Sequence, residues 1–312
     1  MKISRREFVS ASSMSVAAVG FGPLRLLGQT PATPPQTPAA QPPPTPKWED
    51  IRRGIGIFTA SGGTIGYLIT NDGAIAVDSQ FMPSAEPCVA GLKAKAPKGI
   101  ELLINTHHHA DHVSGNPAFR QVVKKIVAHE NCVAWHRKTT EQTAAQQAYA
   151  DTTFKDVWQV DFGGERVHAR YFGPGHTSGD VLVFFEKANV MHGGDLLFRR
   201  VHPRVDGPAG ASIVNWVATL DKMAKAHGGD TVFVFGHGKD GVVLGKNADV
   251  TYFRDYLSAA LDHVRKGMKA GQSREEIAKA TSLQGFDDVT QVSPRLTLAG
   301  VLEAAYDELN TK

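Results

Sequence analysis

The chain has 312 residues, with 34 Lys and Arg against 31 Asp and Glu and a formal net charge of +3. Residues 1–47 hold five of the basic side chains and one acidic one, leaving 29 basic and 30 acidic in residues 48–312. The positive balance therefore belongs to the N-terminal segment. That counts against a nucleic-acid-binding surface on the main domain, whose length of about 265 residues suffices for one large core or two coupled half-cores.

In chain order, Met1-Lys2-Ile3-Ser4-Arg5-Arg6-Glu7-Phe8-Val9 has the twin-arginine pattern, Ser-Arg-Arg-x-Phe followed by an apolar residue. Residues 16–27 behind it are apolar but broken by Gly20, Gly22, Pro23 and Arg25, too short a stretch to span a bilayer. Residues 1–29 thus read as a twin-arginine signal peptide, handed to the twin-arginine export machinery, and the protein is expected to be periplasmic or secreted without a stable membrane anchor. No Cys occurs in the first 87 residues, which argues against a lipid-anchored mature N-terminus. Residues 30–47 are rich in Pro, Thr, Ala and Gln and read as an extended linker. The folded domain is expected over 48–312, beginning near Trp48.

Within it, strand signals at 54–60, 64–70 and 74–78 precede a helix near 84–96 and a strand at 100–105. Residues 131–149 read as helical. Strands follow near 157–161, 165–172, 180–186 and 189–192, then a helix near 212–227 and a strand at 231–235. The remainder, 248–311, reads as helical, with Ser273 and Glu276 forming a capping box. Periodicity alone predicts an α/β fold with mixed sheets. Cys88 and Cys132 fall in separate helical segments with nothing to pair them, and read as small buried residues.

The chemistry is concentrated in Thr106-His107-His108-His109-Ala110-Asp111-His112, directly after the apolar run Leu102-Leu103-Ile104. Imidazole nitrogen and carboxylate oxygen are the donors that Zn²⁺ and its neighbours prefer. His107 and His109, two apart in an extended segment, point the same way and can share one ion. Asp111 and His112 follow as the chain turns. Three further segments repeat one design, an apolar strand delivering a single His or Asp into a Gly-rich turn: Gly173–Asp180 with His176, Val190–Phe198 with Asp195, and Val232–Gly238 with His237. The count gives His107, His109 and His176 for one metal, Asp111, His112 and His237 for a second, and Asp195 between them. An open position on each ion marks a catalytic rather than a structural site.

This order of motifs resembles the metallo-β-lactamase superfamily, in the branch whose dinuclear site is similar to that of glyoxalase II. The H-x-H-x-D-H signature is matched by His107, His109, Asp111 and His112, and the later positions by His176, Asp195 and His237; the likeness spans about residues 51–250. It implies an αββα sandwich of the metallo-β-lactamase type and two Zn²⁺ per chain, with iron or manganese as alternatives. It implies a hydrolase that uses a metal-activated hydroxide on an ester, thioester, lactone or lactam bond of a small-molecule substrate. A shared water between two divalent ions has its pKa lowered from about 16 toward 7. Asp111 is the candidate catalytic residue, orienting the nucleophile and passing a proton to the leaving atom. β-Lactamases of this superfamily usually carry Cys or Ser where this chain has Asp195, a departure that counts against a β-lactamase proper. An iron-dependent oxidoreductase like the persulfide dioxygenases and a non-catalytic periplasmic accessory protein are the other readings.

Other residues carry weaker signals. His108 must point away from its two neighbours and reads as an outer or exposed residue, and His192 as a packing residue. His202 with the arginines of Arg199-Arg200-Val201-His202-Pro203-Arg204 is a candidate for substrate contact or a solvated cluster. Phe58 and Trp216 read as core. Substrate choice is expected to reside in the loops at 58–66, 150–160 and 199–212.

Overall fold

A computed structural model describes residues 45–311. The signal-peptide expectation, with Arg5 and Arg6, and nearly all of the Pro-rich linker lie outside the described residues. No helix among those described is long and apolar enough to cross a membrane.

The first half is one sheet built in chain order. Strands β1 (Lys47–Arg52), β2 (Ile55–Thr59), β3 (Ile65–Thr70) and β4 (Gly73–Val77) form an antiparallel meander. Helix α1 (Met82–Lys95) then crosses over to β5 (Ile100–Ile104), parallel to β4. Two short helices, α2 (Ala110–Val113) and α3 (Asn116–Arg120), lead to β6 (Lys125–His129), and α4 (Glu130–Thr139) leads to β7 (Thr152–Phe154); both strands continue the parallel run. The sheet has seven strands.

The second half contains β8 (Val157–Phe162), β9 (Glu165–Tyr171), β10 (Val181–Phe185) and β11 (Val190–His192), all antiparallel neighbours. After β12 (Phe198–Arg199), helix α5 (Ile213–Ala226) returns the chain to β13 (Val232–Val234), parallel to β11. The two-residue strand β14 (His237–Gly238) pairs with β12, and β15 (Leu244–Gly245) closes the six-stranded sheet against β13. The chain ends in α6 (Asn247–Lys269), α7 (Arg274–Ile277) and α8 (Leu298–Asn310).

Alternation of side chains along the strands sets the layers. On one face of the first sheet Ile55, Ile57, Leu68, Ile75, Val77 and Ile104 share a core with Val181, Val183, Phe185 and Val190 of the second. On the opposite face Phe58, Ile65, Tyr67, Ala76 and Leu103 bury against Cys88 and Leu92 of α1, Phe119 of α3 and Cys132 of α4. Both cysteines are buried and free, as their spacing suggested. The outer face of the second sheet is covered by α5 and α6, whose Phe253, Leu257, Ala260 and Val264 recur at helical spacing. The result is the expected αββα arrangement of mixed sheets.

Differences from the sequence reading have local causes. The strand β6 was not expected, because its apolar part is only Ile126, Val127 and Ala128 behind two lysines. Helix α4 stops at Thr139 rather than continuing to 149: the Thr140 hydroxyl donates to the His136 carbonyl at 2.6 Å and competes with the helical ladder. The C-terminal region is not helical throughout, since residues 278–297 contain Gly285 at φ 86° and Pro294. The Ser273–Glu276 capping box is present, both of its hydrogen bonds made.

Candidate metal centre

The loops that follow β4, β5, β11 and β13, together with the turn before β10, converge and are stitched to one another. The Thr64 N–H donates to the Gly236 carbonyl at 3.0 Å, Val181 N–H to Thr106 at 2.9 Å, and Gly63 N–H to Asp111 at 3.0 Å. Ligands often bind beyond the carboxyl ends of parallel strands, where such loops leave side chains free to converge.

The His cluster is held from behind. Asn105 and Asn116 exchange side-chain hydrogen bonds at 3.0 and 2.8 Å, and the Ser79 hydroxyl donates to the His112 carbonyl at 3.0 Å. His109 keeps extended backbone angles (φ −65°, ψ 147°) as the cap of α2, so its ring returns to the side of His107, with centroids 4.9 Å apart. Asp111 and His112 then project from the single turn of α2. His176 comes from a turn closed by Asp180, whose carboxylate accepts from Thr177 N–H at 2.6 Å and from the Thr177 hydroxyl at 2.8 Å. Burial raises the Asp180 carboxyl to about 7. Asp195 sits in a tight turn at Gly194, which adopts φ 49° against Thr106. A Cβ on Gly236 would lie 2.1 Å from Asp195 Oδ1, and one on Gly63 2.1 Å from the His112 ring, so both glycines are required by close approach.

The seven sequence-derived residues come together as two facing sets. His107, His109, His176 and Asp195 present ligand atoms that all lie within 4.8 Å of one another, and so do Asp111, His112 and His237. Asp195 stands between the sets with its oxygens divided. Oδ2 is 3.4 Å from His176 Nε2 and 3.8 Å from His107 Nε2. Oδ1 is 3.1 Å from His112 Nε2 and 3.4 Å from His237 Nε2. Asp111 Oδ2 lies 3.1 Å from His237 Nε2.

Four of the five imidazoles have the remote nitrogen fixed, which decides the nitrogen that faces inward. Thr106 Oγ1 lies 3.0 Å from His107 Nδ1, Asp78 Oδ2 2.8 Å from His112 Nδ1, and the Arg204 carbonyl 2.7 Å from His176 Nδ1. His109 is turned the other way, with Nε2 2.7 Å from Asp206 Oδ2 and Nδ1 inward, 2.8 Å from His176 Nε2. Such outer partners orient metal-ligating histidines generally. His107 Nε2, His112 Nε2 and Asp195 Oδ1 are buried and form no hydrogen bond. Buried polar atoms are rarely left so, and cations held by the two sets would satisfy all three. The donor set fits divalent metal.

Charge tells the same story. Burial raises the Asp195 carboxyl, but His237 and His112 outweigh it and hold it well below the usual range. Burial disfavours charge on His237, yet Asp195 and Asp111 lift it to about 9, and His112 is raised by the same two carboxylates and Asp78. His107 is lowered by burial and by His112, and His176 is lowered to about 3 by burial and by His109. His107 and His176 are thus kept neutral and ready to donate lone pairs, while His112 and His237 lean on positive charge.

The centre opens on one side. The side chains of Asp111 and His237 are 28 % and 22 % exposed, whereas those of His107, His112 and His176 are fully buried. Phe198 stacks on the His237 ring at 5.6 Å and 21° and, with Trp216, flanks His176.

The remaining sequence candidates separate. His108 is buried against Trp135 and has Nε2 3.8 Å from Asp206 Oδ2. His192 packs as expected, its Nε2 3.0 Å from the Thr64 carbonyl oxygen. His202 does not reach the centre: its Nδ1 lies 2.8 Å from the Tyr256 hydroxyl oxygen. Arg199 pairs with Asp249 at 3.4 Å, and Arg200 pairs with Asp288 while covering the Tyr252 ring, so both are held by α6 and the segment after it. Phe58 and Trp216 are fully buried. Asp78, Asp206 and Phe198 were not singled out from sequence. Asp78 had a signal, since it closes the apolar run Ala74–Val77 in the same way that the other Asp and His residues close theirs. Asp206 had none; it lies in irregular chain.

Comparison with known proteins gives the same family that the motifs resemble. The family model described as "Metallo-beta-lactamase superfamily" matches residues 62–249. A metallo-beta-lactamase type 2 from Bacillus sp. (strain 170) is 26% identical over 177 residues, covering 56% of this chain and 66% of that protein. A hydroxyacylglutathione hydrolase from Brucella anthropi is 30% identical over 141 residues, covering 45% of this chain and 50% of that one. The chain therefore spans two thirds or less of these relatives' length. The solved structure of an inverting sec-alkylsulfatase from Pseudomonas sp. superposes with a TM-score of 0.64 at 14% identity, over 84% of this chain and 50% of that one. That last likeness is one of fold, and it extends beyond the segment matched by the family model.

Proposed function

The chain belongs to the metallo-beta-lactamase superfamily, and from that premise we propose that it is an exported metal-dependent hydrolase that cleaves an ester, thioester, lactone or lactam bond in a small-molecule substrate. His107, His109 and His176 hold one divalent ion in this reading, and Asp111, His112 and His237 the other, with Asp195 shared and zinc as the metal. The observation that carries it is the division of Asp195, one oxygen toward each imidazole set. Ions bound there supply Lewis acidity and make a weakly acidic water available as a nucleophile near neutral pH.

The chain's own groups do the rest. Asp111 lies at the exposed mouth, where its carboxylate can orient the attacking water and carry a proton to the leaving atom. Phe198 and Trp216 exclude water from the flank of the site. Thr106, Asp78 and Asp206 fix the imidazole orientations, which spares reorganisation when charge develops. The test is metal analysis of the purified protein after zinc reconstitution, combined with a panel of lactam, lactone, thioester, phosphodiester and sulfate-ester substrates. Two zinc ions per chain and turnover of at least one carbonyl substrate are expected. One ion or fewer per chain counts against the reading, and iron as the dominant metal points to an oxidoreductase.

Export rests on the Ser4-Arg5-Arg6-Glu7-Phe8 motif. Replacing Arg5 and Arg6 by Lys keeps the charge but removes the guanidinium pair. The variant should accumulate uncleaved in the cytoplasm; unchanged delivery to the periplasm would sink the assignment.

A further inference from the structure

The chain continues past the family-matched segment into α6, α7 and α8. This tail builds a cleft that the metal centre does not use. The near end is a cavity of about 340 Å³ lined by Pro203, Arg204, Val205, Arg295 and Gly300. A larger part of about 700 Å³ shares Val205 and Gly300 with it and runs along α8 past Pro208, Ala304 and Asp307.

Charge is sorted along this trough. At the far end Arg274 is paired with both Glu303 and Asp307, at 3.3 and 2.8 Å. Glu308 accepts from the Ser212 hydroxyl and the Ile213 N–H, both at 2.7 Å. Those charges are answered within the fold. At the near end Arg204 and Arg295 both line one cavity. Arg204 spends one nitrogen on Asp206 Oδ2, at 3.3 Å. Arg295 has no acidic partner among the described residues; its recorded hydrogen bond is made by its backbone N–H, to Ser293 Oγ at 3.1 Å. Gly300, in the first turn of α8, lines the same space, its N–H already donated to Thr297 Oγ1 at 3.0 Å, so the helix adds only the field of its positive end. Guanidinium forks match carboxylate and phosphate oxygens, and two of them beside an unanswered cavity call for an anion.

We propose that the near end is a binding site for an organic oxyanion, a carboxylate or phosphate group whose uncharged body lies along α8. The proposal goes beyond the hydrolase reading and does not depend on it. The two sites share a wall, because the Arg204 carbonyl accepts from His176 and the Arg204 side chain touches the carboxylate that orients His109.

The test is titration calorimetry of the zinc-loaded protein with inorganic phosphate, acetate and hexanoate. Arg295→Ala should weaken the binding about tenfold or more, the usual scale for a charged hydrogen bond. Lys98→Glu is the control: Lys98 is an exposed residue paired with Asp72, and this change alters net charge away from the cleft, so it should leave the affinity as it is. Tighter binding of hexanoate than acetate is expected from the trough, and phosphate against acetate tells which head group is preferred. Anions that bind only at the metal centre would be retained fully by Arg295→Ala. That result, or equal weakening in both variants, or no saturable binding, overturns the proposal.

Discussion

In the proposed reading, Asp111 combines two demands that rarely meet in one side chain, ligation and proton transfer. Burial alone would raise its carboxyl, but His112 and His237 outweigh that and hold it ionised far below neutral pH. Asp111→Asn keeps the size and one acceptor oxygen while removing the charge that balances two imidazoles. Turnover on the best substrate should fall by at least about 10²-fold, the lower end of an acid–base contribution. His176→Ala should do comparable damage by emptying the other set, and the double variant should be little worse than either single one, because the residues act as a unit. Steady-state kinetics of the three variants, with circular dichroism to confirm the fold, checks this; full additivity would separate the two sets. All seven ligand candidates were legible in the sequence because each closes an apolar strand run with a polar donor beside a glycine or at fixed spacing. The outer partners were not equally legible. Asp78 shares that strand-end grammar, whereas Asp206 meets His109 across 97 positions of chain, a pairing that no local pattern encodes.

Among the elements, strands with alternating burial and helices with a single apolar stripe were the easiest to read, as β8, β9, α5 and α6 show. The hidden ones depend on their neighbours. The two-residue strands β12 and β14 exist because Phe198 and His237 pair at the floor of the site, and β7 because β6 offers it an edge. Helices α7 and α8 lie outside the family-matched segment, yet α8 is built into the sandwich. Glu308 on α8 accepts from Ser212 Oγ, Ile213 N–H and Val214 N–H, and so caps the start of α5 from a distant part of the chain. Helix starts leave such donors without partners, and an external carboxylate also complements the helix dipole. Glu308→Ala strands these donors and should cost about 1–3 kcal/mol. In a domain of this size each kcal/mol lowers Tm by about 2–4 °C. Calorimetric unfolding of the variant checks it, and an unchanged Tm would mean that the Glu308 carboxylate adds nothing to the start of α5.

For the molecule as a whole, the candidate metal centre draws its residues from both half-sandwiches. His107, His109, Asp111 and His112 follow β5 of the first sheet, whereas His176, Asp195 and His237 come from the second half. Ions bound across that seam would add to the stability of the folded state by mass action, about 4 kcal/mol for a site at a thousand times its dissociation constant. The interior does not depend on them alone. The apolar core is continuous from Ile57 and Val77 through Val183 to Trp216 and Phe253. Without metal, the raised imidazoles of His112 and His237 can carry the balancing positive charge for Asp111 and Asp195. Chelation should therefore leave a folded protein, with unchanged far-ultraviolet circular dichroism and a Tm lower by on the order of 10 °C. Zinc should restore the lost Tm. Asp195→Ala should make the protein much less sensitive to chelator, because the shared ligand is gone from both sets while the core is untouched. A chelated protein that unfolds outright would show that the seam, rather than the hydrophobic core, holds the halves together. A Tm indifferent to both chelator and zinc would remove the metal from the fold's energetics altogether.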